Sequence, residues 1–231
     1  MKFVHLHNHT HYSLLDGLPK IKDFVAEAKS YDMNALAITD HGSMYGVIEF
    51  YKECLKQNIK PIIGCEFYLA RRRISDKNSN MDARPYHLIL LAKNNIGYKN
   101  LLKLTSIAHL QGFYYKPRID FELLEKYHNG LICSTACLNG QIPKTILSGD
   151  TKGAEELIKK YANLFGRDNF YLEMQYHPNE KEQIKVNEAM SMFSKKLDIP
   201  LLATNDVHYL KPEDKEAQDI LMCLQSKKKI S

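Results

Sequence analysis

Tryptophan is absent from the 231 residues, and no apolar run approaches the ~18 residues that a membrane-spanning helix needs. The opening MKFVHLHNHT holds no apolar stretch of secretory-signal length, so a cytoplasmic chain with no membrane contact is expected. Cysteine is scarce and odd in number (Cys54, Cys65, Cys133, Cys137, Cys223), which argues against a disulfide framework and for a reducing compartment. No Gly-rich phosphate loop follows any strand-like run, which speaks against dinucleotide and P-loop sites. Internal repeats and low-complexity segments are lacking. A strong excess of one charge is missing too. Thirty-two Lys and Arg against 27 Asp and Glu leave +5, which permits a polyanionic partner without requiring one. With 44% hydrophobic and 26% charged residues, a disordered or fibrous chain is excluded.

Histidine is abundant instead. There are ten, and four fall within seven residues: His5, His7, His9 and His11. Short apolar runs at 3–9, 35–39, 61–65, 87–92, 130–134, 170–174 and 201–204 read as strands, nearly continuous in apolar residues as strands buried on both faces are. Helical spacing lies between them. Ile21, Phe24, Val25 and Ala28 follow i, i+3, i+4, i+7, as do Val47, Phe50, Tyr51 and Cys54, and further helices are expected at 97–110, 151–165 and 180–197. Seven strands alternating with helices point to an α/β fold, a parallel barrel first and an open doubly wound sheet second.

A barrel builds its site at the C-terminal ends of its strands. Five of the seven runs deliver potential metal ligands there: His7 and His9; Asp40 and His41; Glu66; Cys137, shortly after the fifth; and Asp206 with His208. Residues two apart in a strand point to one side, about 7 Å along, so each His-x-His or Asp-x-His pair can reach one ion. Asp16, in Leu-Leu-Asp-Gly just past the first run, can fold back over the opening, and Glu66 can bridge two ions through its two oxygens. Imidazole, carboxylate and thiolate together suit Zn, Mn or Fe better than Mg or Ca. His87 does not fit, because it precedes its apolar run; either that strand is irregular or 67–70 and the run from Tyr86 form an excursion at the rim.

Plainer readings cover the rest. His5 reads as buried or supporting, and His11 lies past the end of the strand. His109, His128 and His177 read as surface or satisfied core histidines. Cys54, Cys223, Cys65 and Cys133 read as small core residues, and for Cys137 core packing is nearly as good a reading as ligation. Asp40 reads as an orienting partner rather than a ligand. Arg71–Arg84 is a long polar connection; Arg71–Arg73 with Lys77 either guides a nucleic-acid backbone or is merely solvated. Tyr114–Arg118 mixes aromatic and basic residues, as a single-strand binder or a packed connection would.

These stretches carry a resemblance. His5-Leu-His-Asn-His-Thr, Ile38-Thr-Asp-His-Gly, Gly64-Cys-Glu, Tyr86-His-Leu and Asn205-Asp-Val-His resemble the polymerase and histidinol phosphatase (PHP) superfamily. The longer contexts HLHNHTHYSLLDG, ALAITDHGSMYGVIEFYKEC, PIIGCEFYLA, YHLILLAKNNIGYKNLLKL, ACLNGQIP and LLATNDVHYL are similar to the N-terminal PHP domain of bacterial DNA polymerase III α subunits, over essentially the whole chain. The resemblance implies a distorted (β/α)7 TIM-like barrel filling residues 1–231 as one domain, with about 212–231 leading toward a polymerase body whose own active site lies elsewhere. It implies up to three divalent ions. His7, His9, Glu66 and Asp206 would hold one, Glu66, His87 and Cys137 a second, and Asp16, His41 and His208 a third. His87 joins the ligand set mainly through this resemblance.

The activity implied is metal-dependent phosphoester hydrolysis. The complete ligand set goes with 3′–5′ proofreading exonuclease action on a single-stranded DNA 3′ end during replication, with the rest of the α subunit and the replisome as partners. Asp206 and Asp40 are the carboxylates placed to move a proton. Two rivals stand beside it: a metal-braced structural module without turnover, and a small-molecule phosphatase like the histidinol phosphatases.

Overall fold

The computed structural model describes residues 3–229, so the outermost two residues at each end of the expected domain lie outside the described residues. In chain order the elements are α1 (Ile21–Ser30), β1 (Ala35–Ile38), α2 (Val47–Lys56), β2 (Lys60–Leu69), the single turn α3 (Ser79–Asp82), β3 (Tyr86–Ala92), α4 (Asn95–Leu110), β4 (Arg118–Ile119), α5 (Phe121–Tyr127), β5 (Leu131–Ser134), α6 (Gln141–Leu147), α7 (Thr151–Phe165), β6 (Phe170–Gln175), α8 (Lys181–Leu197), β7 (Leu201–Thr204) and α9 (Lys215–Ser226). Side chains set several helix starts: Asn94 accepts from the amides of Ile96 and Gly97, Asp120 from Leu123 and Asp150 from Gly153.

The strands form one curled sheet in the order β1-β2-β3-β5-β6-β7, with β4 on the far end of β2. This is the distorted α/β barrel expected, with three departures. The third strand is ten residues long, so Glu66 lies within it rather than at its end. The fourth strand runs antiparallel to both neighbours, pairing Gly64–Leu69 with Leu91–Tyr86 on one side and β5 on the other. An antiparallel strand enters at the rim where its parallel neighbours leave. His87, opposite Tyr68, therefore reaches the ligand rim from the start of its strand.

The expected first strand, 3–9, is the third departure, for it makes no regular ladder. It closes the sheet by alternating partners: the Ala37 amide donates to the His5 carbonyl (3.0 Å), and the His9 amide to Val207 (2.8 Å). Between these, Asn8 Nδ2 donates to the carbonyls of His5 and Ala37, and Asn8 N donates to Thr39 Oγ1. Side chains have taken over bonds that a ladder would make with backbone.

Alternation along each strand separates two environments. Outward-facing Cys65, Phe67, Leu69, Leu88, Leu90 and Cys133 pack under α4, α7 and α8, while α1 and α2 cover Leu36 and Ile38. Ile21, Phe24, Val25 and Ala28 are all buried as expected, but Tyr51 of α2 is 46% exposed, at the edge of a stripe that Val47, Phe50 and Cys54 already fill. Inside the curl, Ala37, Ile89, Leu91 and Ala136 with Leu6, Ile62 and Ile132 make an apolar floor. Above it the inward positions turn polar: Glu66, Ser134, Glu173 and Thr204 are all buried. Burial on both faces holds for β1 but not for β7, whose Leu201 is 42% exposed.

The basic connection 71–84 is pinned to the fold. Arg72 pairs with Asp82 (2.6 Å), Arg73 with Glu122 (2.7 Å), and Arg71 lies over the Tyr86 ring. Arg118, fully buried, donates to the carbonyls of Gly112, Ile74, Asp76 and Asp82 and so ties both ends of the connection to β4. Arg71–Arg73 stay exposed while making these contacts, and Arg118 belongs to a packed connection.

Candidate metal centre

Nine side chains meet at the rim above the apolar floor. His7 and His9, both fully buried, enter from the closing segment with their Nε2 atoms 3.1 Å from Asp206 Oδ1 and 3.3 and 3.5 Å from the Glu66 oxygens. These are about the donor–donor separations around an ion with bonds of roughly 2.0–2.1 Å. Glu66 Oε1 is also 2.9 Å from His87 Nδ1, and Cys137 Sγ lies 3.9 Å from that oxygen and 3.7 Å from that nitrogen. On the other side Asp16 Oδ2 is 2.6 Å from His41 Nε2 and 3.5 Å from His208 Nε2. His41 turns its Nδ1 to Glu66, at 2.5 Å, so one ring touches both the Asp16 side and the central carboxylate.

Local backbone explains how distant residues arrive. The residues Leu15, Ala136 and Asp206, beside or at three of the donors, have left-handed φ values of 61°, 58° and 51°. Such conformations are disfavoured for L-residues and concentrate at functional sites. Gly17 makes the Asp16 turn possible, because a Cβ there would fall 2.1 Å from the Thr10 carbonyl oxygen. Asp40 accepts from the Thr10 amide (2.6 Å), the Thr10 hydroxyl (2.8 Å) and the Ser13 hydroxyl (2.6 Å), holding the same loop. Ser13 Oγ in turn meets His9 Nδ1 at 3.1 Å, so Asp40 orients a histidine through one hydroxyl.

The cluster's donor atoms test its fitness for metal. His7 Nε2, His9 Nε2, His41 Nδ1, Glu66 Oε2 and Asp206 Oδ1 are all buried and make no well-directed hydrogen bond, facing one another at 2.5–3.5 Å instead. Buried polar atoms in proteins are ordinarily paired. Five unpaired ones aimed at a common point form a donor set for divalent cations, and three overlapping trios of His and Glu have ligand atoms within 4.8 Å of one another. Burial opposes charge on these groups, and for His41, His7 and Glu66 the partners overrule it. His41 is raised to about 10, its burial outweighed by Glu66 and Asp16. His7 is raised well above its usual value against burial by Asp206, Glu173 and Glu66. Glu66 is held well below its usual value against burial by His87, His41 and His7. His9 falls to about 3 through burial and the charge on His41. Burial, with Glu66 and Asp206, pushes the Cys137 thiol well up.

Metal must therefore displace protons from His41, His7 and the Cys137 thiol. Both compete for the same lone pairs, so affinity rises with pH and falls about tenfold per pH unit for each proton released. Titration calorimetry at pH 7 in buffers of different ionisation heat is expected to show proton release on zinc uptake. Uptake without release would contradict these shifts.

Other residues fall where the plainer readings put them, with two exceptions. His5 and His11 lie off the cluster, His109 Nε2 is satisfied by the Gly42 carbonyl, and His128 bonds the Glu125 carbonyl. Cys54, Cys65 and Cys133 are buried, and Cys223 half-buried; all five cysteines are free. The exceptions are His177 and Lys116, which line a cavity of about 690 Å³ over the cluster, with Tyr68, Asn139, Tyr209 and Gln218. Sequence reasoning missed Glu173, whose Oε1 lies 2.7 Å from His7 Nδ1. Its signal was present: a lone acid within the apolar strand Phe-Tyr-Leu-Glu-Met-Gln.

Comparison with known proteins shows what the chain is related to. A DNA polymerase III subunit alpha of Borreliella burgdorferi is 51% identical over 224 residues, covering 96% of this chain and 19% of that protein. The Treponema pallidum subunit is 49% identical over 229 residues, covering 99% and 20%. The chain thus spans about a fifth of the length of these relatives. In structure, an amidohydrolase from Chromobacterium violaceum shares the fold, with a TM-score of 0.54 at 11% identity, covering 94% of this chain and 96% of that one. The family profile described as the PHP domain matches residues 5–177, and the chain belongs to that family.

Proposed function

We propose that this chain is the N-terminal PHP domain of a bacterial replicative DNA polymerase III α subunit, and that its rim acts as a metal-dependent 3′–5′ proofreading exonuclease on single-stranded DNA ends. One observation supports the reading: the nine side chains read as donors meet in one cluster, and six of them (Asp16, His41, His87, Cys137, Asp206 and His208) line the cavity over it. Up to three divalent ions (Zn, Mn or Fe) would be shared as the family pattern divides them, with Glu66 common to two. The domain fills residues 1–231, with 212–231 leading into the rest of the subunit and the replisome, in the cytoplasm.

Bound divalent ions supply Lewis-acid charge and an acidified water for in-line attack on phosphorus. The chain's own residues do the remainder. Asp206, held below its usual value by His7 and His9 against burial, stands ionised at the cavity wall as the group to take a proton from a nucleophilic water. Asp40 has both oxygens engaged by Thr10 and Ser13 and serves orientation instead. Among the described residues, Lys116 is the one lysine or arginine lining the cavity, its Nζ 5.2 Å from the Tyr68 ring, where it would meet a backbone phosphate.

The test is a labelled DNA strand incubated with the protein and Mn²⁺ or Zn²⁺. Stepwise shortening from the 3′ end is expected, and Lys116→Met is expected to raise KM about fivefold with kcat little changed. No shortening with either metal, at confirmed occupancy, defeats the nuclease reading. Faster turnover of histidinol phosphate than of DNA ends replaces it with a small-molecule phosphatase.

A further inference from the structure

We propose that Glu173 is a positioning residue: it holds His7 in the tautomer protonated on Nδ1, and so presents a bare Nε2 to the metal centre. This rests on the metal-centre reading and adds to it a residue outside the nine donor positions. Glu173 sits in β6, 2% exposed, facing the inside of the curl. Its environment is made of donors. Ser134 of β5 and Thr204 of β7 donate their hydroxyls to it, and Gln175 Nε2 donates at 3.2 Å. The fourth neighbour is His7 Nδ1, at 2.7 Å.

A carboxylate can only accept, so the His7 nitrogen facing it must carry hydrogen. Once metal displaces the second proton of His7, the neutral imidazole keeps the hydrogen on Nδ1, which leaves Nε2 as a lone pair for the ion. That atom is the buried, unpartnered one, 3.1 Å from Asp206 and 3.3 Å from Glu66. His9 reaches the same tautomer by another route. Ser13 gives its only proton to Asp40, so it must accept from His9 Nδ1, and His9 Nε2 is left bare beside Asp206. Two neighbouring histidines thus point equivalent lone pairs at one place, each fixed from behind. A carboxylate behind a ligating histidine also raises its basicity, and losing such a partner typically lowers metal affinity 10–100-fold.

Glu173→Leu removes the acceptor at similar volume, and Glu173→Gln keeps an acceptor without the charge. For the whole chain, zinc affinity is expected to fall 10–100-fold in Glu173→Leu and less than tenfold in Glu173→Gln, while the melting temperature of chelator-treated protein falls by no more than a few degrees in either. In zinc-loaded protein, ¹⁵N-histidine NMR is expected to show a slowly exchanging His7 Nδ1–H whose resonance moves when Glu173→Gln replaces the charged acceptor. Unchanged zinc affinity in Glu173→Leu overturns the proposal. So does a loss that merely tracks a lower melting temperature, as a strand-tying role alone would give. If Glu173→Leu does not fold, an Nδ1–H resonance unmoved in Glu173→Gln overturns it instead. Glu66→Gln separates the two readings: if it too leaves zinc uptake intact, the metal centre itself fails, whereas loss there with none in Glu173→Leu refutes only the positioning role.

Discussion

Glu66→Gln is expected to remove more than one metal ion per chain and to slow strand shortening by at least about 10³-fold, more than any other single change at the rim. The reason is position. Glu66 is 1% exposed, and its two oxygens lie within 3.9 Å of donor atoms from His7, His9, His41, His87 and Cys137, which no other residue of the cluster matches. Glutamine keeps the shape but gives up the charge and half the acceptor capacity, so two neighbouring ions lose a common anion at once. Elemental analysis of protein prepared without chelator reads the first effect, and the rate on a labelled strand reads the second. His128→Ala is the control. His128 bonds only the Glu125 carbonyl of its own helix end, so no change in metal content is expected. A full ion complement in Glu66→Gln, or an equal loss in His128→Ala, would mean that the cluster is not organised around Glu66.

How much of this rim can be read without coordinates depends on what fixes each residue. His7, His9, His41, Asp206 and His208 follow from one rule, that the chain leaves a parallel strand at the mouth of a barrel, and chemistry at such exits stands out against apolar runs. His87 escapes that rule because β3 is reversed. Strand direction is set by pairing with β2 and β5, which is long-range information that no local pattern carries. The same reversal lets β2 run on to Leu69, with Cys65, Phe67 and Leu69 facing helices while Glu66 and Tyr68 face inward. The 71–84 connection reads only in part. That it is long and polar shows in sequence, but that Asp82, Glu122 and the buried Arg118 pin it to the fold while its arginines stay exposed needs the coordinates. Glu173 is the subtler case: a buried acid announces that something must pair with it, but only the fold names His7.

Chelation is expected to lower the melting temperature by roughly 15–30 °C if three ions are bound, and by about 5–10 °C if one is. An ion present at a hundred times its Kd stabilises the folded state by about 2.7 kcal/mol, so three together give about 8 kcal/mol. In a chain of this size each kcal/mol shifts the midpoint by roughly 2–4 °C. The metal-free fold is not left with bare charge. His41, raised to about 10, and His7, raised as well, hold protons that pair with Glu66, Asp206 and Asp16 in place of metal. Those protons are the competitor, so the gap between loaded and chelated protein should widen from pH 6 to pH 8 as proton occupancy becomes harder to maintain. Thermal melts with and without chelator at both pH values, followed by metal add-back, measure this directly. A gap under about 2 °C at pH 8, in protein shown to bind zinc, would mean that the folded and unfolded chains hold the ion about equally well. The buried, unpartnered nitrogens and oxygens of the rim would then owe their arrangement to something other than a cation.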